Sequence, residues 1–424
     1  MTRLSFREQT VRLLDSSGAR FLALENHFNP TIALSGTLRA GSAHSPDSNP
    51  VLASLTAQML DKGTRKRTKM QMAEELESRG ISISFSASGG DPDTADLSVS
   101  CLARDRELAF QALVEMLTEP AFPEEELARE KERLIGGIRQ LSDQTGWRSS
   151  TAASRLLYPP GHPYRADTPE EIIGAIERST VDELFGFHRA RYGKATLILV
   201  AVGDLDGQAA VEQFANLLSD APDGSGPDLD VPAVGAPRAV SESVPMKDKV
   251  NADVLLAEDS RLLRTDPDFL ATTLGVAALG QSTLSSRLGL RVRDTEGLTY
   301  GINARISAGR YSGPFAISLT VAPANLTRAV SSARAVLDEF ASEGITPKEV
   351  EDEKRSRAGK FKVDLASNSG IAGALDMAET YGLGMDYLDG FAARVADLTK
   401  EEVDAGIRKH IRPGDLVEVA AGDL

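Results

Sequence analysis

Two stretches of this chain follow one plan. The segment RSTVDELFGFHRARYGKATLILVAVGDL, ending at Leu205, and the segment DLTKEEVDAGIRKHIRPGDLVEVAAGDL, ending at Leu424, each read as a threonine N-cap, an acidic first turn, an amphipathic helix and an apolar strand stopping at Gly-Asp-Leu. Aligning Gly203 with Gly422 sets an offset of 219 residues, and the helix starts at Pro123 (FPEEELAREKERL) and Pro347 (TPKEVEDEKRSRA) repeat at an offset of 224. Agreement between two independent offsets constrains the fold more than any single motif, because a repeat of this length is a repeated domain. The expected organisation is a first domain over residues 1–218, a linker over 219–240 and a second, homologous domain over 241–424. The stretch SDAPDGSGPDLDVPAVGAPR at 219–238 is rich in Pro, Gly and Asp and carries neither a helical nor a strand period, as a linker should.

Within the first copy, VRLLDSSGARFLALE reads as a hairpin and TIALSGTLRAG as a further strand. PVLASLTAQML and TKMQMAEELESRG have helical spacing, and ISISFSASGGDPDTADLSVSCLA reads as two alternating strands around a Gly-Asp-Pro turn. RELAFQALVEMLTEP and FPEEELAREKERLIGGIRQLSDQ follow as helices, the second with proline in its first turn. Strands come early and helices late. That order predicts an α+β fold, two homologous domains each with a mostly antiparallel sheet and helices packed on one face.

Composition narrows the function. With 47 Lys+Arg against 62 Asp+Glu, a net charge of −15 argues against a nucleic-acid binder, since phosphate contacts need a basic surface. No run reaches the roughly 18–20 apolar residues of a membrane span; ATLILVAVG at 195–203 has the length of a strand. The first thirty residues hold no apolar core followed by a small-residue cleavage site, so the expectation is a cytoplasmic chain, or a periplasmic one if a leader has been removed. One cysteine, Cys101, rules out an intrachain disulfide, and the five histidines (His27, His44, His162, His188 and His410) include no pair at the spacing that puts two metal ligands on one helix face. His162 is expected to pack a loop, and the basic run Lys62–Lys69 to be a solvated loop at a helix entry.

The segment PVLASLTAQMLDKGTRKRTKMQMAEELESRG resembles the signature region of the pitrilysin/insulinase family of metallopeptidases, the inverzincins, in which a helix carries His-x-x-Glu-His before a Met-Leu-x-Lys-Gly-Thr-like stretch. Met59, Leu60, Lys62, Gly63 and Thr64 fit that pattern. Against them the two histidines of the signature fall on Ser54 and Gln58 and its glutamate on Ala57. The third zinc ligand of the family, a glutamate on a later helix, falls on Gly137, with Glu130 at the place of a supporting acidic residue. A catalytic zinc needs three protein ligands, a water and a carboxylate base, so these replacements predict no metal in this chain and no intrinsic catalysis.

The rest of the chain keeps the resemblance. YPPGHPYRADTPEEI at 158–172 is similar to the family's Gly-His-Pro-Tyr region, and Ser286-Arg287-Leu288 leading to Arg293-x-x-x-Gly297-Leu298-x-Tyr300 is similar to its C-terminal-domain hallmark. The resemblance implies a clamshell half of the type found in insulinase and the mitochondrial processing peptidase, with Arg293 and Tyr300 binding the backbone carbonyls of a peptide. A guanidinium fork and a phenol suit that task, because neither reads side chains. The plain alternative is an Arg293 ion-paired with Asp294 or Glu296 and a half-buried Tyr300. In the two-subunit bacterial branch one subunit supplies the zinc motif and the other the Arg/Tyr pair. The implied role is therefore a non-catalytic, substrate-positioning subunit of a heterodimeric zinc metallopeptidase. The zinc and its subunit would come from a partner, the substrate would be a peptide, and homodimerisation in isolation stays open. Family resemblance also implies that peptide adds as a strand to a sheet edge, either around Ile81–Ser88 or after Tyr300. The rivals are a scaffold homologue with no role in proteolysis and an unaided enzyme with unconventional ligands.

Overall fold

A computed structural model describes residues 5–87, 90–224, 226, 228–235, 239–282 and 284–424. Its strands are β1 (Thr10–Leu14), β2 (Arg20–Glu25), β3 (Thr31–Leu38), β4 (Ser82–Ser86), β5 (Ala95–Leu102), β6 (Ile198–Gly203), β7 (Ser241–Pro245), β8 (Ala252–Asp259), β9 (Gly301–Ala308), β10 (Ser312–Val321) and β11 (Val417–Gly422). The first sheet has the order β1-β2-β6-β3-β5-β4 and the second β7-β11-β8-β10-β9. In each, one neighbouring pair is parallel, β2 with β6 and β7 with β11, and the remaining pairs are antiparallel. Removing β1 from the first sheet superposes the two orders strand for strand. The repeat read from the sequence is a repeat of topology.

The matching helices are built alike. Thr180 and Thr399 each cap a helix, Val181–Arg191 and Lys400–His410, and Glu183 and Glu402 close the reciprocal bond to the cap backbone. Two otherwise unsatisfied amide donors are met at each start. The Gly-Asp-Leu strand ends need glycine for room as well as conformation. Gly203 has φ +148° and a Cβ there would lie 2.1 Å from the Thr31 carbonyl oxygen; Gly422 has φ +159° and a Cβ would lie 2.9 Å from Ala252 Cα.

The chain divides into two compact units, and these do not follow the sequence halves. One comprises Met1–Ile135, Ile172–Asp230 and Phe361–Phe391; the other comprises Gly136–Glu171, Val231–Lys360 and Ala392–Leu424. Each unit thus holds one sheet and borrows one helical segment from the other half of the sequence. Of the expected linker, 219–224 belongs to the first unit and 231–235 to the second, without regular strand or helix; 225, 227 and 236–238 lie outside the described residues.

In the first unit, one face of the sheet presents Phe21, Ala23, Leu34 and Val99 to the helices Leu52–Met59, Arg106–Thr118 and Gly207–Leu217. Phe110 and Phe214 stack there with ring centroids 4.4 Å apart. The opposite face presents Leu22, Leu24, Val200 and Val202 to Ala372, Leu375 and Ala378 of the helix Asn368–Thr380. Strand β6 is buried along its whole length, which explains its unbroken apolar run. In the second unit, Val254 and Leu256 pack with Leu274, Leu337, Phe340 and Ile407, and on the other face Val417 and Val419 meet Ala153 of the helix Thr145–Leu157. The fold is the expected two-domain α+β architecture with mixed, mainly antiparallel sheets. The borrowed helices add a second layer to each, beyond the one-face packing read from the sequence.

Candidate functional site

Ser54, Ala57 and Gln58 sit on Leu52–Met59, one helical turn apart as the signature requires, but they do other work there. Gln58 Nε2 donates to Ser54 Oγ at 3.0 Å, and Gln58 Oε1 accepts from Arg133 Nη2 at 2.7 Å. Ala57 is buried in the apolar core and offers no base. Arg133 also donates from Nε to both carboxylate oxygens of Glu130 at 3.0 and 3.1 Å, and its Nη2 contacts the same carboxylate. That carboxylate holds the guanidinium above its usual range. Gly137 lies one turn beyond Arg133 on the same helix, Glu124–Ser142, with nothing within 4 Å of where a Cβ would stand. A hydroxyl and an amide bonded to each other, next to a fixed cation, do not fit a zinc ion.

The histidines are spent elsewhere. His44 Nε2 lies 3.0 Å from Asp93 Oδ1, both buried, and His188 Nε2 lies 2.7 Å from the Leu117 carbonyl oxygen. His162 stacks on Tyr158 at 4.4 Å, its Nδ1 accepts from the Tyr164 amide, and burial pushes its imidazole down to about 4. Exposed His27 contacts Asp204 at 2.7 Å. His410 has no role legible in the sequence, yet its ring nitrogen, Asp266 and Asp268 bring ligand-type atoms within 4.8 Å of one another. There, however, Asp268 Oδ2 already contacts Lys409 Nζ at 2.8 Å and His410 Nε2 at 3.0 Å, and His410 Nδ1 is held by the Ser260 carbonyl oxygen. Cys101 is buried and its thiol is pushed up to about 11, so it is not a ready nucleophile.

The basic run proves to be a matched loop. Lys66 pairs with Glu119, Arg67 with Glu75 and Glu115, and Lys69 with Glu126.

Arg293 lies in a π-helical segment, Gly289–Thr295, of the second unit. Such widened turns are uncommon and frequent at functional sites. Gly297 (φ +61°) ends the segment, and the Leu298 amide bonds back to the Val292 carbonyl, burying both side chains. Thr299 then ties its hydroxyl to the carbonyls of Thr320 at 2.6 Å and Gly301 at 2.8 Å. The outcome is a fixed backbone from which Tyr300 points outward, 76% exposed, at the head of β9. Its phenol has no hydrogen-bond partner among the described residues. Arg293 Nη1 meets Asp294 Oδ1 at 3.0 Å, the ion pair of the plain alternative, while its side chain remains 35% exposed. No direct bond joins Arg293 to Tyr300 among the described residues.

Both strands expected to receive peptide are edge strands: β4 ends the first sheet and β9 ends the second. Ser88, in the expected stretch around β4, lies outside the described residues.

Comparison with known proteins agrees with the fold and identifies the family. Residues 20–152 match the family described as insulinase (peptidase family M16), and residues 178–357 match the peptidase M16 inactive domain. A curated relative, the non-peptidase homolog YmxG of Helicobacter pylori, is 23% identical over 402 residues, covering 92% of this chain and 89% of its own. The crystal structure of a peptidase M16 inactive domain from Pseudomonas fluorescens has a TM-score of 0.90 at 28% identity, covering 98% of both chains. The ferredoxin protease FusC, solved as a point mutant in complex with Arabidopsis ferredoxin, shares the fold at TM-score 0.77 and 16% identity; this chain is covered to 99% and spans 46% of that one. The chain belongs to the insulinase-type M16 peptidase family, as one of its non-peptidase homologues.

Proposed function

We propose that this chain is a substrate-positioning subunit of a heterodimeric zinc metallopeptidase, supplying Arg293 and Tyr300 to a zinc site carried by a partner of the same family. The observation that carries the reading is the contrast within one chain. Ser54 and Gln58 are satisfied internally, whereas the Tyr300 phenol stands exposed and unpaired where an edge strand begins. A phenol O–H and a guanidinium so placed suit peptide carbonyls, and the free side of β9 suits main-chain pairing with an extended peptide. FusC, solved with a protein bound, supports a protein or peptide as the kind of substrate. The zinc belongs to the partner in this reading, and the working compartment is the cytoplasm.

The test is reconstitution. The purified chain alone should cleave no peptide, and turnover should appear when a zinc-bearing family subunit is added. Arg293→Ala and Tyr300→Phe should then lower turnover strongly; unchanged turnover in both would remove the assigned role. The Arg293–Asp294 ion pair is what a scaffold homologue would also have, and that second reading predicts partner binding with no dependence on either residue.

A further inference from the structure

The absence of zinc ligands on Leu52–Met59 is half of what the structure records; the other half is what has taken their place. Glu130 is buried, its side chain 8% exposed, and a buried carboxylate without a compensating charge is strongly destabilising. Arg133 answers it from the next turn of the same helix, with its own side chain 63% exposed, and continues to Gln58 on the other helix at 2.7 Å. Gln58 passes the bonding on to Ser54 at 3.0 Å. The result is a continuous chain of bonds, Glu130 to Arg133 to Gln58 to Ser54, fixed by one positive charge and crossing two helices.

We propose that Arg133 is an internal cation that replaces the family's metal: it compensates Glu130 and cross-links the two helices, and its charge, beyond the loss of ligands, makes this helix pair refractory to divalent cations. A divalent ion brought within a few ångströms of a held guanidinium is repelled, and the carboxylate that could have attracted it is already neutralised by the same group. Restoring ligands alone is therefore insufficient. The inference stands independently of any partner or peptide, so its failure and that of the proposed function are separable.

The experiment uses the full chain and zinc alone. Ser54→His, Ala57→Glu, Gln58→His and Gly137→Glu are combined, with and without Arg133→Ala, and bound zinc is measured per chain after dialysis. The expected result is near-stoichiometric zinc with Arg133→Ala and less than a tenth of that with Arg133 kept. Equal zinc in both, or none in either while circular dichroism reports a folded chain, overturns the proposal. Should the combined variants not fold, the natural background decides. Arg133→Ala is expected to lower the denaturation midpoint clearly, and adding Glu130→Gln to restore most of it. A midpoint unmoved by Arg133→Ala, or not restored by Glu130→Gln, overturns the proposal equally.

Discussion

The helix pair bearing Ser54, Gln58 and Arg133 and the segment bearing Arg293 and Tyr300 belong to two copies of one fold, and they differ in who satisfies their polar groups. In the first, donors and acceptors close on one another across 3.0 and 2.7 Å. In the second, the backbone is locked by Leu298 and Thr299 while the tyrosine is left open to solvent. There the Gln58 amide is used at both ends, by Ser54 and by Arg133, so the region answers its own polar groups. The exposed aromatic on its fixed backbone, by contrast, leaves ring and phenol accessible to solvent, as the proposed role in peptide binding requires.

The strongest way to break the contrast is kinetic. In a reconstituted assay, Tyr300→Phe combined with Arg293→Ala should reduce turnover by about 100-fold, the scale of losing a donor to a developing oxyanion. Ser54→Ala and Gln58→Ala should leave turnover within about twofold. Equal effects on both sides would mean that the closed region still serves substrate.

The next effect is pH-dependent and has one representative in each unit. Asp376, on Asn368–Thr380, bonds to Ser35 at 2.7 Å and Thr37 at 3.2 Å, and burial pushes its carboxyl up to about 7. Glu258, on β8, is likewise pushed up to about 7 by burial, although Arg412 lies 3.0 Å away. For both groups the folded value lies above the unfolded one. The native state keeps a proton that the unfolded chain releases, so the stabilisation is full at acid pH and is lost as pH rises toward and through about 7. Thermal unfolding followed from pH 5 to 8 should show stability falling by on the order of 2–3 kcal/mol for each group, and Asp376→Asn should remove about half of that slope. An unchanged slope in Asp376→Asn would assign the titration elsewhere.

Smaller effects probe the repeat and the helix Glu124–Ser142. Thr180→Ala and Thr399→Ala should each cost about 1 kcal/mol in chemical denaturation, because each removes the same cap. Clearly unequal costs would mean that equal topology hides unequal energetics. Gly136→Ala should stabilise the chain by about 0.5–1 kcal/mol, since a methyl group there meets nothing within 4 Å and mid-helix glycine is entropically unfavourable. A loss of stability would argue that the glycine's freedom is used.

Local signals carried much of this into the sequence. Capping threonines, alternating strands and the strand-ending glycines are short-range features, and they located the repeat and the class of fold. The substituted signature likewise needed only Ser54, Ala57 and Gln58, which lie within two turns of one helix. What stayed hidden depends on separation. Periodicity announces that Thr145–Leu157 and Asn368–Thr380 have apolar stripes, but not which sheet each stripe covers, and each joins the sheet of the other sequence half. The Arg133–Gln58 bond joins residues 75 apart, and nothing near either one signals it. The triad of Asp266, Asp268 and His410 escaped for the same reason.

The position of β6 and β11 bears on how the chain is made. Each is the last strand of its copy, yet each lies inside its sheet, β6 between β2 and β3 and β11 between β7 and β8. On the ribosome, the first sheet stays split until Gly203 has emerged, and β7 has no hydrogen-bonding neighbour within its sheet until β11 is synthesised. During that interval unpaired strand edges are exposed. The chain therefore passes through two windows of vulnerability to misassociation during synthesis, and the second closes only when Val417–Gly422 is available.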